Sequence, residues 1–147
     1  MSYVRTRTRR RHRGRRRSYK SVPYRVAIRA SYDAALFMPG DEGPSGRTHG
    51  HGYTVEAVLE ARDLGASGFV VDFDMIQPQL AAIAGDLDHR LLNELEPFRD
   101  GVPSAERQAE YFYRRLSRII EAEYGPKVRL AKIRVIQEPD AWAEFEP

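Results

Sequence analysis

The chain of 147 residues contains no cysteine. A disulfide framework, a thiolate metal site and a cysteine nucleophile are therefore excluded. No apolar run approaches the roughly 18 residues of a membrane-spanning helix, and the N-terminus has no apolar segment of the kind found in secretory signals. The hydrophobic fraction of 41% is enough for one packed domain. These features together predict a cytoplasmic protein.

The first twenty residues contain no acidic residue, although they hold nine arginines and one lysine. Removing these ten from the 24 basic residues of the chain leaves 14, against all 21 acidic residues, so the remainder has a charge of −7. Arginines this dense cannot be buried together. We therefore predict a disordered arm over residues 1–21 and an acidic domain over residues 22–147.

Several roles remain open for the arm. Residues 5–20 suit nucleic acid or another polyanion, because arginines that neutralise phosphates release counterions, and Tyr3 and Tyr19 provide rings for stacking. Alternatively, the arm folds back on the acidic domain or has no separate role. A transit peptide would explain the arginines, but the segment has little serine and few apolar residues.

Hydrophobic periodicity predicts four strands and two helices in the domain. The first helix is expected to be capped near Asp74 and the second to begin at Ser104. The order ββααββ predicts an α+β fold in which two helices cover one face of an antiparallel sheet. The four predicted strands are residues 22–36, 51–61, 127–137 and 141–146.

The stretch GRTHGHGYTVE, residues 46–56, places His49 and His51 two apart at the start of a strand. Side chains two apart leave the same face of a strand, so both imidazoles are able to reach one metal ion. A metal held by protein alone needs a further ligand. Two histidines on an apolar face are equally consistent with hydrogen-bonded core residues.

A second candidate site is the Asp88–His89 pair in LDHRLLN. An aspartate beside an imidazole is able to fix its tautomer and raise its basicity, which suits a general acid or base. A surface ion pair in a polar turn is the alternative.

Five segments, taken in order, resemble the family of 6-pyruvoyltetrahydropterin and 6-carboxytetrahydropterin synthases. They are YDAALFMPGDEGPSGRTHGHGYTVE, FVVDF, LDHRLLNELEPF, VPSAERQA and QEPDAWAEF. The resemblance implies the tunnelling fold, in which ββααββ subunits join their sheets into a ring-shaped homo-oligomeric barrel with pterin sites between subunits. It also implies triphosphate elimination from 7,8-dihydroneopterin triphosphate. One branch of the family makes a pyruvoyl pterin, and the other makes the carboxy pterin that leads to queuosine.

The family's enzymes use zinc on three histidines, a cysteine base, an Asp–His relay and a glutamate that anchors the pterin. The resemblance assigns His49 and His51 to the metal and Asp88 and His89 to the relay.

Three family positions differ in this chain. Leu36 replaces the first zinc histidine, so two protein ligands remain where catalytic zinc sites use three. We therefore expect weak or absent zinc binding, unless Asp41 moves in from its loop. Ser45 replaces the cysteine and is a poor base, because an unassisted hydroxyl is far less acidic than a thiol. Gln137 replaces the pterin-anchoring glutamate, and strand alternation predicts that the next residue, Glu138, points to the other side.

Three functions are consistent with this pattern. The chain is a pterin synthase-type lyase with altered or reduced activity, an inactive paralogue that binds a pterin or purine, or a barrel scaffold whose arms bind nucleic acid.

Overall fold

A computed structural model of the chain describes residues 22–147, so the predicted arm at residues 1–21 lies outside the described part. No helix within residues 22–147 is long and apolar enough to cross a lipid bilayer. The described part contains five strands and two α-helices: β1 (Tyr24–Leu36), β2 (His49–Ala61), α1 (Phe73–Gly85), β3 (Arg90–Leu91), α2 (Ala105–Tyr124), β4 (Val128–Glu138) and β5 (Ala141–Phe145).

The strands form one mixed sheet in the order β3-β1-β2-β4-β5. β1 and β2 form an antiparallel hairpin along their whole length, and β4 and β5 continue it antiparallel on one side. β3 pairs with β1 in parallel over two residues. The α+β prediction is confirmed, but the prediction of a four-stranded, purely antiparallel sheet is wrong. A two-residue strand is too short to show an alternating pattern, so periodicity cannot reveal it.

Both helices pack on one face of the sheet, as predicted. Along β1 and β2, apolar and polar side chains alternate. Because successive side chains leave a strand on opposite sides, the apolar ones lie on one face of the sheet and the polar ones on the other. Apolar residues at helical spacing form a stripe along each helix, and the two stripes complete the core. The buried helical residues are Ile76, Leu80, Ile83 and Ala84 on α1, and Gln108, Ala109, Phe112, Leu116 and Ile120 on α2.

Side-chain caps fix where the two helices begin. The N-cap of α1 is Asp72, which accepts a hydrogen bond from the backbone N–H of Asp74 at 2.9 Å, so the prediction of a cap near Asp74 was two residues late. Both residues are aspartates in one short segment, and the pattern alone did not distinguish them. Ser104 caps α2 as predicted, and Gly125 ends it with a φ of 58°.

The other face of the sheet carries ion pairs that cross the strands. Glu60 on β2 is only 3% exposed and lies between Arg25 on β1 at 3.0 Å and Arg129 on β4 at 2.6 Å. Glu56 lies in the same way between Arg29 at 2.6 Å and Arg134 at 3.6 Å. The arginine side chains cover the two carboxylates and compensate their charge. This face is therefore suited to water rather than to a second apolar layer.

Candidate functional site

His49 and His51 lie together at the start of β2, as their spacing predicts. Their ring centroids are 5.0 Å apart and the rings are perpendicular. Nδ1 of His49 donates a hydrogen bond to the backbone carbonyl of Arg47 at 2.7 Å. This bond leaves Nε2 of His49 as the nitrogen with a free lone pair, the arrangement that metal-binding histidines use.

Leu36 stands directly across from this pair. In the β1–β2 ladder, Leu36 is the partner of His49 and Ala34 is the partner of His51. Directly opposed residues of an antiparallel pair project from the same face, so position 36 faces the histidines as the family resemblance requires. Leu36 is 2% exposed and belongs to the apolar core. A leucine side chain offers no lone pair, so the donor set here has two members.

Asp41 does not complete the set. Its Oδ1 accepts the backbone N–H of Gly43 at 2.7 Å, a bond inside its own loop. Among residues 22–147, the metal-binding atoms of three or more such side chains come within 4.8 Å of one another only at Asp33, Asp88 and His89. The residues around His49 and His51 therefore do not fit a zinc ion of the three-histidine kind, and we derive no chemical step through zinc.

The surroundings of His51 favour the neutral form of its imidazole. Partial burial lowers its pKa, the neighbouring His49 lowers it further, and the negative charge of Glu138 opposes both effects. An uncharged imidazole both donates and accepts hydrogen bonds. His51 is therefore suited to bind a polar ligand even without a metal.

Asp88 and His89 form the pair that the sequence suggests. Oδ2 of Asp88 accepts a hydrogen bond from Nδ1 of His89 at 2.9 Å. His89 has a φ of 56°, in the left-handed region that residues with a side chain seldom adopt. Its side chain is 79% exposed, and its Nε2 makes no hydrogen bond with another described residue. Nε2 is thus available to a ligand while Nδ1 is held.

The main chain of Asp33 on β1 holds this pair in place. The N–H of Asp33 donates to Oδ1 of Asp88 at 2.8 Å, and its carbonyl accepts the N–H of His89 at 2.6 Å. Both groups of Asp33 point to the edge of β1, just before the short parallel pairing with β3. These two bonds keep His89 in its unusual backbone conformation.

The two members of the pair shift each other's protonation in opposite directions. The hydrogen bond from the N–H of Asp33 is the main cause that lowers the pKa of Asp88, and the bond from His89 adds to it. The hydrogen bond to Asp88 raises the pKa of His89, the charge of Asp88 acts in the same direction, and Asp33 adds a smaller contribution. The pair therefore favours an ionised carboxylate beside a protonated imidazole.

The two histidine motifs lie in different places, His49 and His51 on one face of the hairpin and Asp88 and His89 at its edge. His49 and His51 alternate along β2 with Gly50 and Gly52, so the glycines lie on the face opposite the imidazoles. Asp33, the ladder partner of Gly52, shares the glycine face. A shallow cleft of about 550 Å³ at this end of the hairpin is lined by both His51 and His89. The structure brings His49 to His51 and Asp88 to His89, but it does not join the four side chains into one cluster.

Ser45 and Gln137 stand where the family resemblance expects the base and the pterin anchor, and neither side chain makes a hydrogen bond with another residue of 22–147. Ser45 lies exposed in a short 3₁₀ turn, and its hydroxyl makes no hydrogen bond with a described residue. Gln137 lies half-buried where the pairing of β4 with β5 slips between Ile136 and Glu138. The prediction that Glu138 points away from Gln137 assumed regular alternation, which this irregularity interrupts. The charge of Glu138 acts on His51, so Glu138 lies near the candidate site.

Sequence reasoning did not identify Asp33 as part of the site. Its contribution to the pair comes from backbone atoms, which carry no residue signature. The one available signal was the position of Asp33 in the YDAAL segment that carries the resemblance.

The fold and these residues define a class of protein: a two-layer α+β protein with a histidine pair on one face of its hairpin and an Asp–His pair at the hairpin's edge. The family model described as 6-pyruvoyl tetrahydropterin synthase matches residues 25–147. The chain belongs to this family.

Similar proteins include two of assigned activity. The 6-carboxy-5,6,7,8-tetrahydropterin synthase of Bacillus subtilis is 29% identical over 119 residues, which cover 78% of this chain and 79% of that protein. The dihydroneopterin monophosphate aldolase of Pyrococcus furiosus is 34% identical over 71 residues, which cover 48% of this chain and 59% of that protein. The structure of Caenorhabditis elegans 6-pyruvoyl tetrahydropterin synthase matches with a TM-score of 0.74 at 20% identity and covers 84% of this chain and 95% of that one. This last similarity shows a common fold.

Proposed function

We propose that the chain is a 6-carboxytetrahydropterin or 6-pyruvoyltetrahydropterin synthase-like protein that acts on 7,8-dihydroneopterin triphosphate or a related pterin. We propose further that its activity is weaker than that of enzymes with the complete site. The observation that carries this proposal is the Asp88–His89 pair, whose hydrogen bond of 2.9 Å leaves Nε2 of His89 exposed in a cleft. Such a pair is suited to general acid–base chemistry.

In this proposal, His89 gives or takes the proton at Nε2, and Asp88 holds the ring through Nδ1. The carboxylate of Asp88 stabilises the imidazolium that exists while His89 carries the extra proton. The family's zinc would polarise a substrate oxygen when bound, but with Leu36 across from His49 we expect this contribution to be small. Without a thiolate at position 45, one of the two proton-transfer groups of the complete site is also missing.

An inactive paralogue that binds a pterin or purine is the second candidate function. The observation in its favour is that Leu36 is part of the packed core, so the metal half of the site has been replaced by apolar packing. A neutral His51 and the half-buried Gln137 would still bind the polar edge of a heterocycle. A scaffold that presents arginine arms to nucleic acid is the third candidate function, and it concerns residues outside the described part.

We also propose a homo-oligomer with a cytoplasmic location. β3 pairs with only Ala34 and Ala35 of β1, so the preceding part of β1, from Tyr24 to Asp33, has no strand on that side among the described residues. An open strand edge of this length is a template for pairing with another copy.

Restoration of the three replaced residues tests the proposed function. The full chain and the variant Leu36→His/Ser45→Cys/Gln137→Glu would be incubated with the triphosphate and, separately, the monophosphate of 7,8-dihydroneopterin, and product formation would be followed by chromatography. We expect slow turnover by the unmodified chain and clearly faster turnover by the triple variant, because members of a catalytic unit contribute non-additively. Adding His89→Gln to the triple variant is the matched control and should abolish the gain.

Two outcomes would contradict parts of this proposal. Turnover by the unmodified chain at about 1 per second or faster would show that the three replacements do not weaken the site, and Ser45 would become the leading candidate for the base. A triple variant that binds zinc but remains inert would favour the pterin- or purine-binding function instead.

A further inference from the structure

Three acid–base side chains, Asp33, Asp88 and His89, come together at the edge of β1, although the family resemblance assigns only two of them a role. One ligand atom from each lies within 4.8 Å of the others. The hydrogen bonds already described occupy both oxygens of Asp88. The carboxylate of Asp33, in contrast, makes no hydrogen bond with a described residue. It is therefore a second negative charge beside His89 that the packing of the domain does not use.

Gly52 makes room for this carboxylate. Asp33 and Gly52 are ladder partners, and a Cβ added at Gly52 would lie 3.1 Å from Oδ1 of Asp33. This distance is tighter than ordinary van der Waals contact, so the Asp33 carboxylate would have to move by a few tenths of an ångström to admit a side chain at position 52. The glycine that follows His51 thus has a local reason to be a glycine: it lets the Asp33 side chain lie close over β2.

We propose that Asp33 is a positioning residue for His89, with its peptide group fixing the imidazole's location and its carboxylate stabilising the imidazolium together with Asp88. The inference deepens the proposed function and rests on it, because it concerns the same acid–base group. Two carboxylates beside one imidazole favour the protonated ring more than one does. His89 with both partners is therefore better suited to donate a proton at neutral pH than His89 with Asp88 alone.

Besides Asp88, the charged or titratable side chains around the cleft at His89 are Asp33, His51 and Arg90. Asp88 and Asp33 both favour its protonated form, whereas the following residue, Arg90, lines the same cleft and brings positive charge. Asp88 is the stronger influence because it is hydrogen bonded to Nδ1. The contribution of Asp33 acts through space in an exposed site, so salt should screen it.

The test is titration of the His89 ring by NMR in the ligand-free, full-length protein. The His89→Gln variant assigns the resonance among the chain's four histidines. We expect Asp33→Asn to shift the titration of His89 to lower pH, and Asp88→Asn to shift it further in the same direction. The matched control is Asp63→Asn, which removes the same charge from an exposed aspartate after β2 at the far end of the sheet. Asp63→Asn should leave the titration unchanged.

Gly52→Ala provides a second, independent variant. If the inserted methyl group displaces the Asp33 carboxylate, it should move the His89 titration in the unmodified chain and have little effect in the Asp33→Asn background, where no charge remains to displace. A shift produced by Asp33→Asn that weakens with added salt supports the proposal. Equal titration of His89 in the Asp33→Asn, Asp63→Asn and unmodified proteins would overturn it.

Because this titration needs neither substrate nor metal, its result is separate from that of the turnover assay. A chain without turnover would count against the proposed function, while the position of the His89 titration would still decide the role of Asp33.

Discussion

Replacing Leu36 by histidine should create a zinc-dependent stability that the unmodified chain lacks. Leu36 is 2% exposed and contacts the apolar core, so losing its burial should cost about 2 kcal/mol in the absence of metal. For a domain of this size, the midpoint of thermal unfolding changes by roughly 3 °C per kcal/mol. The metal-free variant should therefore melt about 6 °C below the unmodified chain.

Zinc should reverse this loss, because position 36 is the ladder partner of His49 and projects from the same face. Zinc at a hundred times its dissociation constant adds about 2.7 kcal/mol to the free energy of unfolding, or roughly 8 °C. The unmodified chain, with two histidine ligands, should gain little at the same zinc concentration. The assay is thermal unfolding of both proteins after chelator treatment, across a zinc titration, with bound metal measured by elemental analysis.

Two control variants distinguish zinc binding by the new histidine from the effect of repacking the core around position 36. Leu36→Asn should lose a similar amount of stability and regain much less of it with zinc, and Leu36→His/His51→Gln should lose the zinc response. The reasoning would be refuted if zinc failed to stabilise the Leu36→His variant, because position 36 would then not face the histidine pair. Tight zinc at one per chain in the unmodified protein would show that a third ligand exists, and Asp41 would be the first residue to substitute.

Three further predictions concern the rest of the chain. If residues 1–21 bind nucleic acid, affinity for a short single strand should fall steeply with salt and disappear in a chain of residues 22–147, whose charge is −7; equal binding by the truncated chain would exclude this role. Ser104→Ala should lower the free energy of unfolding by about 1 kcal/mol in denaturant titrations, since it removes the cap of α2; an unchanged midpoint would show that the cap contributes little. Burial opposes ionisation of Glu60, but hydrogen bonds from Arg129 and Arg25 outweigh it and lower the pKa. Its contribution to stability should therefore be present at neutral pH and be lost as the pH falls below about 5, so Glu60→Gln should flatten the acid branch of a stability–pH profile.

The sequence was most informative where a pattern repeats. The alternation along residues 22–36 identifies the buried face of β1, and the spacing of apolar residues identifies both helices. β3 escaped prediction because two residues cannot show a period. The orientation of Glu138 was predicted from alternation that the irregularity after Ile136 interrupts.

The candidate site likewise has parts that the sequence pattern predicts and parts that it does not. The spacing of His49 and His51 predicts their proximity, and adjacency in the chain suggests the contact between Asp88 and His89. Nothing in the pattern alone placed Asp33 beside them, because its hydrogen bonds come from peptide atoms that every residue has. That contact depends on the segment after α1 returning to the edge of β1, a tertiary arrangement that local periodicity does not specify.

The Asp88–His89 pair is attached to the main chain of Asp33. The geometry of this pair can therefore persist through evolution independently of the side chains around His49 and His51. A ligand set built from side chains is lost when one of those side chains is replaced, whereas a pair anchored to peptide groups tolerates many replacements of the anchoring residue. A substitution at a position such as Leu36 is therefore able to change the donor set around His49 and His51 while the Asp88–His89 pair keeps its geometry. A chain of this kind can pass through stages in which it no longer performs an inherited reaction but still holds a preorganised imidazole, from which another chemistry can be selected.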